Sequence, residues 1–250
     1  MSRAMMLAMA AGGPGIAAPP TLTYVTNLVA RWRAYDLALS DGASVGTWAD
    51  TSGNSNDLTQ ATAGFKPIFR LTGGPNTRPA VQFDGTDDTL SSVALVMGDP
   101  HTTFIVFKAS ESGVILKHDP TGSVNGSPYF SSSTTFTLFH QDTGAPGGEN
   151  EKDHPTGVGW AADSVWRYVS WRYTSTGPSH LLWVNGSSVS LTNIANNAPT
   201  ANGSKAVALA TDGGSAFQAC HIAEVLIYGE AMSAGNRGTV ETYLAATYNL

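Results

Sequence analysis

Residues 78–90, RPAVQFDGTDDTL, decide the fold class, because they join an extended run to a tight corner and then to a second short run. Val81 and Phe83 alternate with polar or small neighbours, a pattern that predicts a half-buried strand. The Asp84-Gly85 pair that follows has turn chemistry, since glycine adopts positive φ at no steric cost and aspartate caps its own backbone. The stretch therefore predicts an antiparallel sheet on either side of this corner.

The corner also concentrates carboxylates. Asp84, Asp87 and Asp88 lie within five residues, and Asp50 or Asp57 from an earlier polar loop is a further candidate ligand. Calcium takes several oxygen ligands from irregular loops, so the first three residues are candidate metal ligands with calcium as the cofactor. The alternative interpretation is that these side chains cap the backbone of the turn and face water.

Composition favours an all-β protein. Charged residues make up only 13% of the 250 residues, and glycine occurs 27 times, as expected for many strands joined by turns. The net charge of −6 and the scattered Lys and Arg give nucleic acid no electrostatic footprint, so no nucleic-acid partner is expected. The one cysteine, Cys220, excludes an internal disulfide framework and predicts a small core residue.

The first twenty residues differ from the rest of the chain. Residues 4–11 form a short apolar run, and a segment rich in Gly and Pro follows it up to Pro20. The run is too short to span a bilayer, so no membrane span is expected. We predict that residues 1–20 form an N-terminal arm for attachment, either flexible or a short docking helix, and that residues 21–250 form one domain. A cleaved signal peptide is the alternative.

Several further segments predict strands. The nearly continuous apolar run of residues 103–108 indicates a central strand buried on both faces, and residues 166–173 carry aromatic side chains on both faces. Residues 180–191 predict a hairpin that turns at Asn185-Gly186. A long late strand follows within residues 217–228, and Ser233 is the predicted N-cap of a closing helix.

Two polar segments predict loops. Residues 45–60 place a tryptophan before a loop dense in Asp, Asn and Ser, which is either a ligand loop or a turn that caps itself. Residues 141–159 contain almost no apolar side chains and predict a long exposed loop. Its acidic residues and His154 resemble a metal cluster, but a scaffold to fix their geometry is not evident, so a solvated loop is the preferred interpretation.

Two kinds of side chain bear on function. Glu224 shares its predicted strand face with apolar residues, so we expect it to be buried and to bond loop backbone, with a structural and not a catalytic role. Trp160 beside the long polar loop and Trp171 at the border of a concave sheet are the candidate glycan-binding residues, because sugars stack on aromatic rings. A core position is the alternative for Trp171.

Four pieces occur together in order: residues 48–60 (WADTSGNSNDLTQ), residues 78–88 (RPAVQFDGTDD), residues 182–189 (LWVNGSSV), and residues 222–248, which begin IAEVLIYGEAM. In this combination the chain resembles the LamG-like domains of the concanavalin A-like lectin/glucanase superfamily, over about residues 45–248. The resemblance implies a jelly-roll sandwich of two antiparallel sheets with one short C-terminal helix.

The apolar start, the polar SGN loop and the FDG corner are also similar to LamG-like structural proteins of tailed bacteriophages. This resemblance implies a non-enzymatic virion protein on the capsid or tail. Its implied partners are other virion proteins, contacted through the arm, and host-surface glycans. The alternatives are a secreted carbohydrate-binding or adhesion module and a glycoside hydrolase. Glucanases of the superfamily use a Glu-x-Asp-x-x-Glu strand, which this sequence lacks, so no catalytic residue is expected.

Overall fold

The computed structural model describes residues 18–93, 100–111, 113–118, 127–132, 135–141, 149–153, 163–174, 180–193, 206–211, 213 and 217–250. Within them the strands, in chain order, are β1 (Leu28–Arg33), β2 (Thr47–Trp48), β3 (Leu58–Thr59), β4 (Ile68–Arg70), β5 (Ala80–Asp84), β6 (Leu90–Ser92), β7 (His101–Ala109), β8 (Gly113–Val114), β9 (Leu116–His118), β10 (Ser127–Ser132), β11 (Thr135–Gln141), β12 (Glu149–Asp153), β13 (Arg167–Tyr173), β14 (His180–Val184), β15 (Ser187–Val189), β16 (Thr192–Asn193), β17 (Val207–Leu209) and β18 (Ala219–Tyr228).

Helical structure is sparse in these ranges. Three 3-10 turns span Ala34–Asp36, Ala63–Phe65 and Pro75–Thr77, and the α-helix α1 spans Ala234–Tyr248. Across the described residues, no helix combines the length and the apolar character needed to cross a membrane.

The strands form antiparallel sheets. The largest has eight strands in the order β15-β14-β13-β7-β18-β5-β4, with β1 also paired to β18. A five-stranded sheet has the order β2-β3-β6-β17-β9, and a second has the order β16-β12-β11-β10-β8. The chain passes from the β16-β12-β11-β10-β8 sheet to the β2-β3-β6-β17-β9 sheet between β8 and β9, which only Ile115 separates. The predicted all-β sandwich with one C-terminal helix is confirmed.

The main core lies between the eight-stranded sheet and the β2-β3-β6-β17-β9 sheet. Alternate residues of β5, β7, β13 and β18 point into it, and Trp48, Leu58 and Leu90 from the opposite sheet meet them. In β5 the two apolar residues Val81 and Phe83 are buried while Gln82 between them is half-buried, as the alternation predicts. Cys220 is also in this core, and burial raises the pKa of its thiol.

The outer face of the eight-stranded sheet is covered by α1. Phe104, Val106, Leu226 and Tyr228 pack there against helix residues such as Leu244. The Ser233 hydroxyl accepts a hydrogen bond from the Asn236 N–H at 3.2 Å, which confirms the predicted N-cap. Strand β7 is therefore buried on both faces and lies between β13 and β18, as expected for a central strand.

The predicted hairpin is also present. Strands β14 and β15 are joined by Asn185 (φ 47°) and Gly186 (φ 78°), the positive dihedrals that the Asn-Gly turn requires. The Asn185 side-chain oxygen accepts a hydrogen bond from the Tyr168 N–H at 3.0 Å, so the turn is also held to β13.

The prediction for residues 141–159 needs correction. The segment is not a loop throughout, because Glu149–Asp153 forms strand β12, paired with β11 on one side and β16 on the other. Backbone hydrogen bonds to two neighbours hold this polar segment in a strand despite its lack of apolar residues. His154 lies outside the described residues.

Candidate functional site

The acidic corner at the end of β5 is held by its own carboxylates. Asp84 Oδ1 accepts hydrogen bonds from the N–H groups of Thr86 at 2.8 Å and Asp87 at 3.4 Å. Asp88 Oδ2 accepts a hydrogen bond from the Asp84 N–H at 3.0 Å. Gly85 (φ 80°) is required here, because a Cβ at this position would lie 2.7 Å from the Ala219 nitrogen. Asp84 and Asp88 therefore make the backbone-capping contacts that the alternative interpretation of this corner predicts.

The same three aspartates converge. One oxygen from each of Asp84, Asp87 and Asp88 lies within 4.8 Å of the others. Burial, followed by the charges of its two acidic neighbours, raises the pKa of Asp88 to about 6. A bound cation would relieve this repulsion. Three carboxylates supply only part of the roughly six to eight oxygens that calcium takes, so backbone carbonyls or water would complete the shell. Calcium binding here remains a prediction.

Asp50 and Asp57 serve a different loop. Asp50 accepts hydrogen bonds from the N–H groups of Arg31 (2.9 Å), Ser52 (2.8 Å) and Asn56 (3.0 Å), and Asp57 accepts one from the Asp50 N–H (2.8 Å). Neither belongs to the group of converging aspartates within the part of the chain that the structure describes. The polar loop of residues 45–60 is therefore self-capped and anchored to β1.

Of the two candidate tryptophans, Trp171 belongs to the described part of the chain. Trp160 lies outside the described residues. Trp171 is 1% exposed in the main core, where its Nε1 donates to His180 Nδ1 at 2.9 Å and its ring meets His101 edge-on. A sugar would need an uncovered ring face, and here the protein covers the ring. Trp171 therefore occupies a core position, as the alternative interpretation of this residue predicts.

Glu224 is buried as expected, but its partners are not loop backbone. Its carboxylate accepts hydrogen bonds from the hydroxyls of Tyr243 (2.9 Å) and Tyr248 (3.0 Å) on α1, and from Arg31 Nε (2.8 Å) on β1. The register of β18 shifts between Ile222 and Glu224, so Glu224 points toward the helix. The expectation of backbone partners is corrected because this bulge re-aims the side chain.

A polar cleft lies on the open end of the outer sheet face, beyond α1. It measures about 260 Å³, and its polar lining residues are Gln82, Lys108 and His221 together with Asp84, Ser110 and Ser164. Gln82 falls between the inward-facing Val81 and Phe83, a signal that the sequence does show, whereas Lys108 and His221 share their faces with apolar residues that pack against α1. Their meeting depends on the register of β5, β18 and β7, which the sequence alone did not reveal.

Comparison with known proteins gives matches to solved structures alone. No protein-family model matches the chain, and no curated protein matches it significantly. The fold matches the receptor-binding domain of botulinum neurotoxin C/D mosaic serotype with a TM-score of 0.63 and 11% identity, covering 88% of this chain and 52% of that one.

Two further solved structures are similar. One is the botulinum neurotoxin serotype D ligand binding domain in complex with N-acetylneuraminic acid (TM-score 0.61, 11% identity, 87% of this chain and 51% of that one). The other is the binding domain of Paraclostridial Mosquitocidal Protein 1 (TM-score 0.60, 10% identity, 87% and 52%). The chain spans about half the length of these structures. Sequence identities this low establish the fold alone: the chain is a β-sandwich.

Proposed function

We propose that this chain is a non-enzymatic structural protein displayed on a virion, on the capsid or tail, and that its sandwich binds host-surface glycans. In this proposal residues 1–20 contact other virion proteins. The observation that carries the glycan-binding role is the likeness of the sandwich to receptor-binding domains, one of them solved with N-acetylneuraminic acid. The virion setting rests on the resemblance of the sequence to LamG-like phage structural proteins.

The buried carboxylates between α1 and the sheet support a non-catalytic role. Glu224 is fully buried and bonds two tyrosines and Arg31. Glu241 is 7% exposed and accepts hydrogen bonds from Ser170 Oγ and Arg237 Nη1, both at 2.5 Å. A glycoside hydrolase needs paired carboxylates that flank a substrate bond, whereas these two hold the helix to the sheet.

Two measurements test the proposal. Copurification of the full-length chain with viral particles is expected, and so is binding to a glycan array without release of reducing sugar. Absence from particles together with a mature N-terminus cleaved near Ala10 or Ala18 would favour the alternative, a secreted carbohydrate-binding or adhesion module. Release of reducing sugar from a polysaccharide, dependent on a carboxylate of this chain, would overturn the non-enzymatic assignment.

A further inference from the structure

Four side chains form a row across the outer face of the eight-stranded sheet. Gln82 on β5 pairs with His221 on β18, and His221 pairs with Lys108 on β7. Trp166 continues the row. Arg167 pairs with Phe107 in the antiparallel strands β13 and β7, so Trp166, one residue earlier, lies beside Lys108, one residue later. The polar cleft opens directly over the first three members of this row.

Lys108 is the lysine that lines the cleft. Its Nζ lies 5.5 Å from the centroid of the Trp166 ring, which holds the ammonium by a cation-π contact. Among the described residues, no carboxylate forms an ion pair with it, in contrast to Arg31, Arg33 and Arg237. Lys108 is therefore held in place by an aromatic ring that does not neutralise its charge.

A second cation reinforces the positive field. Arg70 donates from Nε to Gln82 Oε1 at 2.6 Å, beside the row. Burial, with Lys108 and Arg70 as further causes, lowers the pKa of His221 to about 4, so its ring is neutral at physiological pH. The opposing charge in the lining is Asp84, whose Oδ1 accepts hydrogen bonds from the backbone of its own turn.

We propose that this cleft binds a sugar that carries a carboxylate, with Lys108 pairing with the carboxylate and Gln82, Ser110 and Asp84 bonding the sugar hydroxyls. The inference rests on the proposed glycan-binding role and names its ligand class and site. A charged hydrogen bond from an ammonium to a carboxylate is roughly twice as strong as a neutral one. Hydroxyls both donate and accept, which matches a lining that offers an amide, a hydroxyl and a carboxylate.

The size of the cleft limits the ligand. Its volume of about 260 Å³ lies just below the ~300 Å³ at which small-molecule pockets usually begin. We therefore expect one terminal sugar residue to enter it, with the remainder of a glycan outside. Trp166 is a positioning residue in this proposal, since it holds Lys108 and does not line the cleft.

The test compares two ligands that differ in one charge. Calorimetric titration of the full-length chain with N-acetylneuraminic acid and with its methyl ester should show the free acid binding at least about tenfold more tightly, because the ester lacks the carboxylate. D-glucuronic acid provides a second carboxylated probe. Equal affinity for acid and ester, or no binding of either acid, would overturn the inference.

The variants Lys108→Gln and Lys66→Gln provide the matched pair, since Lys66 is a half-buried lysine outside the cleft. Lys108→Gln should reduce affinity for the acid about tenfold and leave the ester unaffected, whereas Lys66→Gln should change neither. Arg70→Gln gives an independent, smaller loss if Lys108→Gln folds poorly. Unchanged acid binding in folded Lys108→Gln rejects the site.

The array separates this inference from the broader function. Binding of neutral glycans that Lys108→Gln does not weaken would leave the glycan-binding role intact while rejecting the cleft as an acid-sugar site. Absence of all glycan binding would reject both. Trp166→Leu should weaken acid binding only while Lys108 is present, and a loss of equal size in the Lys108→Gln background would contradict its positioning role.

Discussion

Glu224 Oε2 lies 3.0 Å from the hydroxyl of Tyr248, so a buried hydrogen bond joins strand β18 to helix α1. Tyr243 bonds the same carboxylate, and burial together with the charge of Glu224 raises the pKa of both phenols, to about 12 for Tyr243. These groups keep their neutral, donating form across the physiological range. The carboxylate therefore fixes the helix on the sheet.

Removing the Tyr248 hydroxyl and removing the Glu224 carboxylate should both destabilise the fold, the second more than the first. Tyr248→Phe should cost about 1–2 kcal/mol, because Glu224 keeps two partners, whereas Glu224→Ala should cost about 3–5 kcal/mol by leaving Arg31 unpaired. Urea unfolding measures both. Tyr35→Phe is the control, since the Tyr35 ring contacts Arg33 and Arg78 while its hydroxyl forms no hydrogen bond within the described part of the chain. A cost for Tyr248→Phe no larger than that of the control would contradict the role of the contact.

Stability should depend on pH through His221. Its pKa is lowered from 6.5 to about 4 in the folded chain by burial and then by Lys108 and Arg70. The unfolded state therefore binds more protons between these values, so this contribution is complete above about pH 6.5 and is lost as pH falls toward 4. Because the residue is only half-buried and water screens its charge, we expect about 1 kcal/mol and not the full value of the shift.

His221→Gln should remove this part of the acid sensitivity. Chemical unfolding at pH 7 and at pH 4.5 measures it, and the loss on acidification should be smaller in the variant than in the unsubstituted chain. The carboxylates titrate in both proteins, so their contributions to the loss of stability cancel in the comparison. Parallel losses in the two proteins would show that His221 does not titrate as described.

Calcium should stabilise the chain if Asp84, Asp87 and Asp88 bind it. A ligand that binds only the folded state adds about 2.7 kcal/mol at a hundred times its Kd, so chelator should lower Tm and calcium should restore it. Asp87→Asn should abolish the response. Asp41→Asn is the control, because Asp41 bonds the Leu71 N–H far from the corner in sequence. An unchanged Tm with chelator would leave the three aspartates as turn caps.

The boundary of the N-terminal arm can be tested by paired deletions. Removal of residues 1–20 should leave Tm unchanged and, if the proposed virion role holds, abolish incorporation into particles. Removal through Tyr24 should cost about 2–3 kcal/mol, because Leu22 is buried beneath the helix and Tyr24 donates to Glu230 at 2.6 Å. A large loss of Tm from the shorter deletion would instead place the arm within the fold.

Local chemistry explains why much of the fold is predictable. Val81 and Phe83 alternate along one strand, Asn185-Gly186 is a specific turn signal, and Ser233 caps a helix through its nearest neighbours. Each of these depends on residues within a few positions of one another. The sequence therefore identifies them before any tertiary contact is known.

The cleft and the buried carboxylate depend on register instead. A shift of one residue moves every side chain of a strand to the opposite face, and the bulge before Glu224 makes such a shift inside β18. The meeting of Gln82, His221 and Lys108 requires three strands distant in sequence to align. Strand β12 is a related case, since pairing with neighbours outweighs its polar composition.

Helix α1 covers only part of the outer face of the eight-stranded sheet. Beneath it, packing of residues such as Phe104 and Leu226 contributes to holding the sandwich together. Beyond it, Lys108 and Gln82 are half-buried and contribute little to that packing. Substitutions at the open end can therefore change the chemistry of this surface while the covered end preserves the architecture, so the proposed binding site can change its ligand over evolution without refolding of the scaffold.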